Sequence, residues 1–136
     1  MRVAVCLDDK GGMMFNRRRQ SRDRTVVADV MASAEDGVLY LAPYSEKLFA
    51  EAGASFVADE QFLAMAGEGD LCFVEDRPLT PYADRIGEVT VYRWNRSYPT
   101  DVFFDLDLSA LGFRLRERTE WQGYSHEKIT KEIFVK

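Results

Sequence analysis

Residues 2–31 read RVAVCLDDKGGMMFNRRRQSRDRTVVADVM: an apolar run, a turn, a basic loop and a helix, in that order. The RVAVCL run has no polar position after its first residue, the pattern of a strand covered on both faces, as parallel strands are. Asp8, Asp9, Gly11 and Gly12 then supply turn chemistry. From Asp23 onward Val26, Val27, Val30, Met31 and Ala34 recur at helical spacing, with Gly37 placed as a C-cap and Asp23 at the helix start, where a carboxylate meets free backbone amides. A doubly covered strand leading through a loop into a helix is the opening of an α/β sheet.

The same grammar repeats downstream. GVLYLAP (37–43) reads as a second buried strand, SEKLFAEAG as a short helix with Ser45 as its cap and Gly53 at its end, ASFVAD as a strand, DEQFLAMAGEG as a helix and DLCFVED as another buried strand. After RPLTPYADR the pattern changes. GEVTVYRW, TDVFFDLDL, GFRLRERTEW and KITKEIFVK alternate apolar and polar residues with no helix between them, as antiparallel strands do. The expected fold is three-layer α/β, with a central mixed, mainly parallel sheet and C-terminal antiparallel strands. At 136 residues it should form one domain spanning 1–136.

The net charge is −5, so the far field repels nucleic acid and anionic membranes, and any role with either must rest on a local patch. Cys6 and Cys72 lie in apolar runs without metal-ligand spacing, and with a single histidine they do not make a structural zinc site; no metal is expected. No leader or spanning segment is read, and the expectation is a reduced, cytoplasmic protein without membrane association.

The dense basic patch is Arg17, Arg18, Arg19, Arg22 and Arg24, five of the 18 lysines and arginines, beside Asn16. Guanidinium forks recognise phosphate and carboxylate bidentately, and loops after the carboxyl ends of parallel strands are where ligands bind. The competing reading is a solvated loop whose arginines pair with Asp8, Asp9, Asp23 and Asp29. Met13, Met14 and Phe15 are expected to fold back onto the core. Asp8 and Asp9 read as turn residues. Trp94, Tyr98 and Trp121 among Arg93, Arg96 and Arg118 fit cross-strand packing, with base stacking as the alternative. His126, in GYSHEK, is expected in an exposed turn, since spacing certifies no Ser–His–Asp relation.

The order of elements resembles the dihydrofolate reductase fold. AVCLDDKGGMMFNRRRQSRD is similar to that family's first strand, acidic turn, glycine-hydrophobic-x-Asn segment and helix-opening Asp; YADRIGEVTVYRWNRSYPTDVFFDLDL, FRLRERTEW and KITKEIFVK fall where its last strands lie. The resemblance implies a pterin cleft and an NADPH site, and maps Asp23 onto the acid that anchors or protonates the pterin. The departures are chemical. Arginines and Gln20 follow Asn16 where the family has a Pro–Trp pair; APYSEK and VEDRPLTPY replace its phosphate-binding Gly-Arg-x-Thr and Gly–Gly segments, with Glu75 and Asp76 adding negative charge; and the middle is shorter by about one strand. The chain also resembles short bacterial proteins that carry the name ribonuclease Z, whose metallo-β-lactamase HxHxDH motif a chain with His126 alone does not contain.

The expected function is binding of a small anionic or nucleotide-like ligand in a dihydrofolate reductase-like cleft, without NADPH or another cofactor. Asn16, Arg17, Arg18, Arg19 and Arg22 would hold the charge and Asp23 would contact a ring or amide. Two alternatives stand beside it: a divergent NADPH-dependent reductase using Asp23 catalytically, and an RNA-binding or RNA-processing protein using the arginine loop. Homo-oligomerisation is left open.

Overall fold

The structure is a computed structural model and describes residues 1–136. From the N-terminus the chain forms β1 (Arg2–Leu7), β2 (Gly12–Phe15), β3 (Arg18–Arg19), α1 (Arg24–Ser33), β4 (Leu39–Leu41), α2 (Glu46–Ala50), β5 (Val57–Ala58), α3 (Phe62–Met65) and β6 (Leu71–Phe73). A 3-10 turn over Thr80–Arg85 leads to β7 (Glu88–Arg93), β8 (Val102–Phe103), β9 (Arg114–Trp121) and β10 (Ile129–Val135). Seven strands make one sheet in the order β5-β4-β6-β1-β7-β10-β9. β5, β4, β6, β1 and β7 run parallel, while β10 and β9 add antiparallel to β7. The expected mixed sheet is therefore present, parallel first and antiparallel at its C-terminal side. No helix is long and apolar enough to cross a membrane.

The central strand explains the pattern of the sequence. Val3, Val5 and Leu7 enter one core and Ala4 enters the other, so β1 offers no solvent face. On one side of the sheet Val26, Val27 and Val30 of α1 and Leu48 and Phe49 of α2 pack against Leu41, Phe73, Tyr92 and Trp94. On the other, Phe62 and Leu63 of α3 join Leu79, Ile86, Val89, Val91, Met13 and Met14. These are the three layers. Helix α1 starts where it does because the Asp23 side chain accepts from the Thr25 amide as N-cap. Ser45 does not cap α2 through its side chain: its hydroxyl donates to Glu75 Oε1 at 2.7 Å instead.

The segment after β1 is more structured than its composition suggests. β2 and β3 form a hairpin with a two-residue turn at Asn16 and Arg17, whose φ angles of 52° and 62° both lie in the left-handed region, the pattern of a type I′ turn. β8 pairs with β2 rather than joining the C-terminal meander, so TDVFFDLDL contributes to a small second sheet, β3-β2-β8. Met13 and Met14 are buried as expected, while Phe15 faces outward.

One carboxylate brings these two distant loops together. Asp8, buried, accepts from the amides of Lys10 (2.9 Å) and Gly12 (2.8 Å) through Oδ1, and from the Tyr98 amide (3.0 Å) and Gln20 Nε2 (3.2 Å) through Oδ2. Burial opposes ionisation, but the amides of Tyr98, Gly12 and Lys10 more than offset it and hold the carboxyl below its ordinary value. With residues 12 and 98 on one carboxylate, the chain that follows each is placed to pair as β2 and β8. Replacing Asp8 by Ala should leave enclosed donors without partners and cost about 2–4 kcal/mol. Urea denaturation checks this, and the loss should exceed that of Asp9→Ala, whose side chain is exposed and accepts only a 3.4 Å contact from Ser97.

Candidate functional site

The Asp23 carboxylate is fully enclosed and accepts from both sides of a junction between the start of α1 and the β9–β10 loop. Oδ1 accepts from the Thr25 amide (2.9 Å), the Thr25 hydroxyl (2.6 Å) and the Tyr124 amide (3.0 Å). Oδ2 accepts from the Ser125 amide (2.9 Å) and hydroxyl (3.3 Å) and lies 2.8 Å from His126 Nδ1. Burial works against the charge, yet the Thr25 hydroxyl, His126 and the Ser125 and Tyr124 amides outweigh it and hold the carboxyl well below the usual range. The approach is close on every side: a Cβ at Gly123 would fall 2.6 Å from Asp23 Oδ2.

His126 is not the exposed turn residue that its local sequence suggests. It is buried, with its ring stacked on Trp94 at a centroid separation of 4.6 Å and an interplanar angle of 21°. Its Nε2 lies 2.8 Å from Ser21 Oγ. Because Asp23 can only accept, Nδ1 carries the proton of the neutral ring and Nε2 is left to accept from the Ser21 hydroxyl. Ser21, His126 and Asp23 thus stand in hydrogen-bonded series. Two of the three lie two residues apart at a helix start, and the third comes from a loop more than 100 residues away. No local motif announces this.

The arginines of the basic loop do not share one site. Arg19 turns inward and grips Glu75 with both arms, Nε to Oε2 at 2.8 Å and NH2 to Oε1 at 2.9 Å, above the Tyr44 ring. Arg22 lies 3.6 Å from Glu51 with both side chains about half exposed, a pair of little energetic weight. Arg24 lies over the Tyr124 ring at 4.1 Å. Arg17 and Arg18 are exposed at the hairpin tip, and the Asn16 amide donates to Asp101. The partners are therefore Glu75 and Glu51, not Asp8, Asp9, Asp23 or Asp29. Tertiary placement chose acids from other strands and helices.

Two concavities matter. Beside the carboxyl ends of β1, β6 and β7 the chain leaves little enclosed room: the space bordered by Cys6, Ser21, Phe73, Glu75 and Trp94 amounts to about 10 Å³. Between α1 and α2 lies an open groove of about 510 Å³, with Val27, Ala28, Met31, Leu48 and Ala52 as walls and Arg22, Arg24 and Glu51 around it. That volume is within the range of small-ligand sites.

No protein-family model matches the chain, and no curated protein matches it by sequence. Among solved structures it is similar to a dihydrofolate reductase from Enterococcus faecalis, complexed with NADP(H) and RAB-propyl. The TM-score is 0.67 over 99% of this chain and 95% of that chain, at 12% identity. The chain has a dihydrofolate reductase-like fold. Within that fold, the residues at the ends of β4 and β6 do not suit a dinucleotide phosphate. Pro43 removes an amide, Ser45 and Arg19 are engaged by Glu75, and Asp76 is held by Arg77 at 2.9 Å.

The enclosed carboxylate predicts a pH dependence. Its folded pKa lies below the unfolded value near 3.9, so the stability it contributes is complete at neutral pH and lost as the pH falls through about 4 toward the folded value. Asp23→Asn should cost roughly 2–4 kcal/mol at pH 7. Urea titrations at pH 7 and pH 3 should show the gap between wild type and variant narrowing at the lower pH.

Proposed function

We propose that the chain binds a small ligand with an apolar body and an anionic group, carboxylate or phosphate, in the groove between α1 and α2. The observation that carries this reading is an aliphatic wall bordered by Arg22 and Arg24 around one open groove. An apolar body gains from covering Val27, Met31 and Leu48, and the anion gains charge-assisted hydrogen bonds. Glu51 is held only loosely by Arg22 and can yield it to a ligand. Of the residues singled out from sequence, Arg22 serves this groove. Arg17 faces a separate hollow with Tyr44, Asp76 and Asp101, and Arg19 is committed to Glu75.

Two features argue for leaving NADPH and Asp23 out of the ligand contacts. A reductase using Asp23 would have to free a carboxylate already engaged by Thr25, Tyr124, Ser125 and His126. A dinucleotide would have to displace Arg19 from Glu75. The RNA alternative draws on Arg17 and Arg18, exposed together at the hairpin tip.

Isothermal titration with phenyl phosphate, AMP, NADPH, dihydrofolate and a short RNA tests the reading. Phenyl phosphate or AMP should bind, and Arg22→Ala with Arg24→Ala should weaken binding at least about tenfold while the melting temperature stays unchanged; each charge-assisted contact is worth about 1.5–3 kcal/mol. Equal affinity in the double variant rejects the groove. Binding of NADPH with dihydrofolate would favour the reductase, and RNA binding that falls steeply with salt would favour the third reading.

A further inference from the structure

The series Ser21–His126–Asp23 has the connectivity of a nucleophile, a general base and an orienting carboxylate, and ligand binding does not call for it. We propose that Ser21 is an acyl-accepting nucleophile, making the chain a hydrolase of esters with a short acyl group. Four observations carry this. The two links are both 2.8 Å, within the reach that proton transfer requires. The tautomer is fixed by Asp23, so Nε2 presents its lone pair to the hydroxyl. Trp94 covers the imidazole face and holds the ring plane. Ser21 is partly exposed, whereas His126 and Asp23 are buried, so the nucleophile alone of the three is presented outward.

Free backbone donors lie next to Ser21 in sequence. The amides of Arg22, Asp23 and Arg24, at the approach to the ten-residue helix α1, have no acceptor within the chain. In such sites the amide that follows the nucleophile is a usual donor to the developing negative charge. The enclosed space beside Ser21 is about 10 Å³, at most one water, so no large acyl group has an enclosed seat and a short acyl ester must reach Ser21 from its exposed side. Arg22, Asp23, Val27 and Leu48 border both this space and the open groove, so the alcohol part extends into the groove. That last placement rests on the groove reading; the nucleophile does not.

The step balances with water as the only co-reactant. Ser21 Oγ bonds to the carbonyl carbon as its proton passes to His126 Nε2; the ester C–O bond breaks, and Nε2–H protonates the departing alkoxide. Water then attacks the acyl-serine, giving its proton to Nε2, and Ser21 leaves with that proton as the carboxylic acid is released. The thiols do not compete as nucleophiles: desolvation and the Glu75 charge hold Cys6 protonated, and burial pushes Cys72 up to about 12.

The test is covalent labelling of the full chain with a fluorophosphonate, read by intact mass and peptide mapping, beside hydrolysis of p-nitrophenyl acetate. Wild type should carry one adduct on Ser21 and turn over the ester. Ser21→Ala should stay folded, with its melting temperature lowered by at most a few degrees, and lose labelling, with hydrolysis down at least about 100-fold. A second variant guards against misfolding as the cause: Ser21→Cys should be alkylated by iodoacetamide faster than Cys6 or Cys72, because His126 would draw off its proton. No adduct on Ser21, or equal hydrolysis by Ser21→Ala, overturns the proposal. Binding of phenyl phosphate in the groove is read separately by titration, so either idea can fail alone.

Discussion

The enclosed carboxylate of Asp23 is the constraint on which the junction of α1 with the β9–β10 loop depends. It begins helix α1 by capping Thr25, and it also gathers the amides of Tyr124 and Ser125 and the ring of His126. A buried carboxylate is costly unless each oxygen is satisfied, so the loop after β9 has little freedom to sit elsewhere. That loop then decides where His126 lies, and through it the hydroxyl of Ser21. Gly123 is required in the same place, since any side chain there would collide with the carboxylate.

A second charged junction governs the crevice. Glu75 is 8% exposed and emerges at the end of a buried strand, where an unpaired anion would be strongly destabilising. Arg19 and Ser45 neutralise and hydrogen-bond it. The β2–β3 hairpin is thereby drawn over the carboxyl ends of the parallel strands, and the left-handed residues Asn16 and Arg17 make its tight turn. A cluster that looks in sequence like one cationic patch is divided: one arginine into the protein, two to the hairpin tip, two beside the groove. Acids from other elements take two of the five, Arg19 by Glu75 and Arg22 by Glu51.

At 12% identity to a dihydrofolate reductase the fold persists. The sheet needs only buried runs of adequate size in the right order, and many sequences provide them. A site needs particular atoms at particular separations. Here the acid at the helix start is an N-cap, and its acceptor oxygens serve a histidine and a loop.

How much could be read in advance follows from the range of the forces involved. β1, β6, β7, β9 and β10, helix α1 and its Asp23 cap were legible, because apolar continuity, alternation and capping act over a few residues. The buried methionines and the parallel-then-antiparallel sheet followed from the same signals. The hairpin at residues 12–19 and its pairing with β8 were not legible, since they depend on Asp8 meeting Tyr98 across 90 residues. Neither the arginine partners nor the Ser21–His126–Asp23 series has a local signature; each joins residues more than 25 positions apart in at least one link. The sequence by itself determined the order of strands and helices and the residues that must be buried. Only the tertiary structure decided which charges neutralise one another and which hydroxyl meets the histidine, because those are settled by distances that exist once the layers have closed.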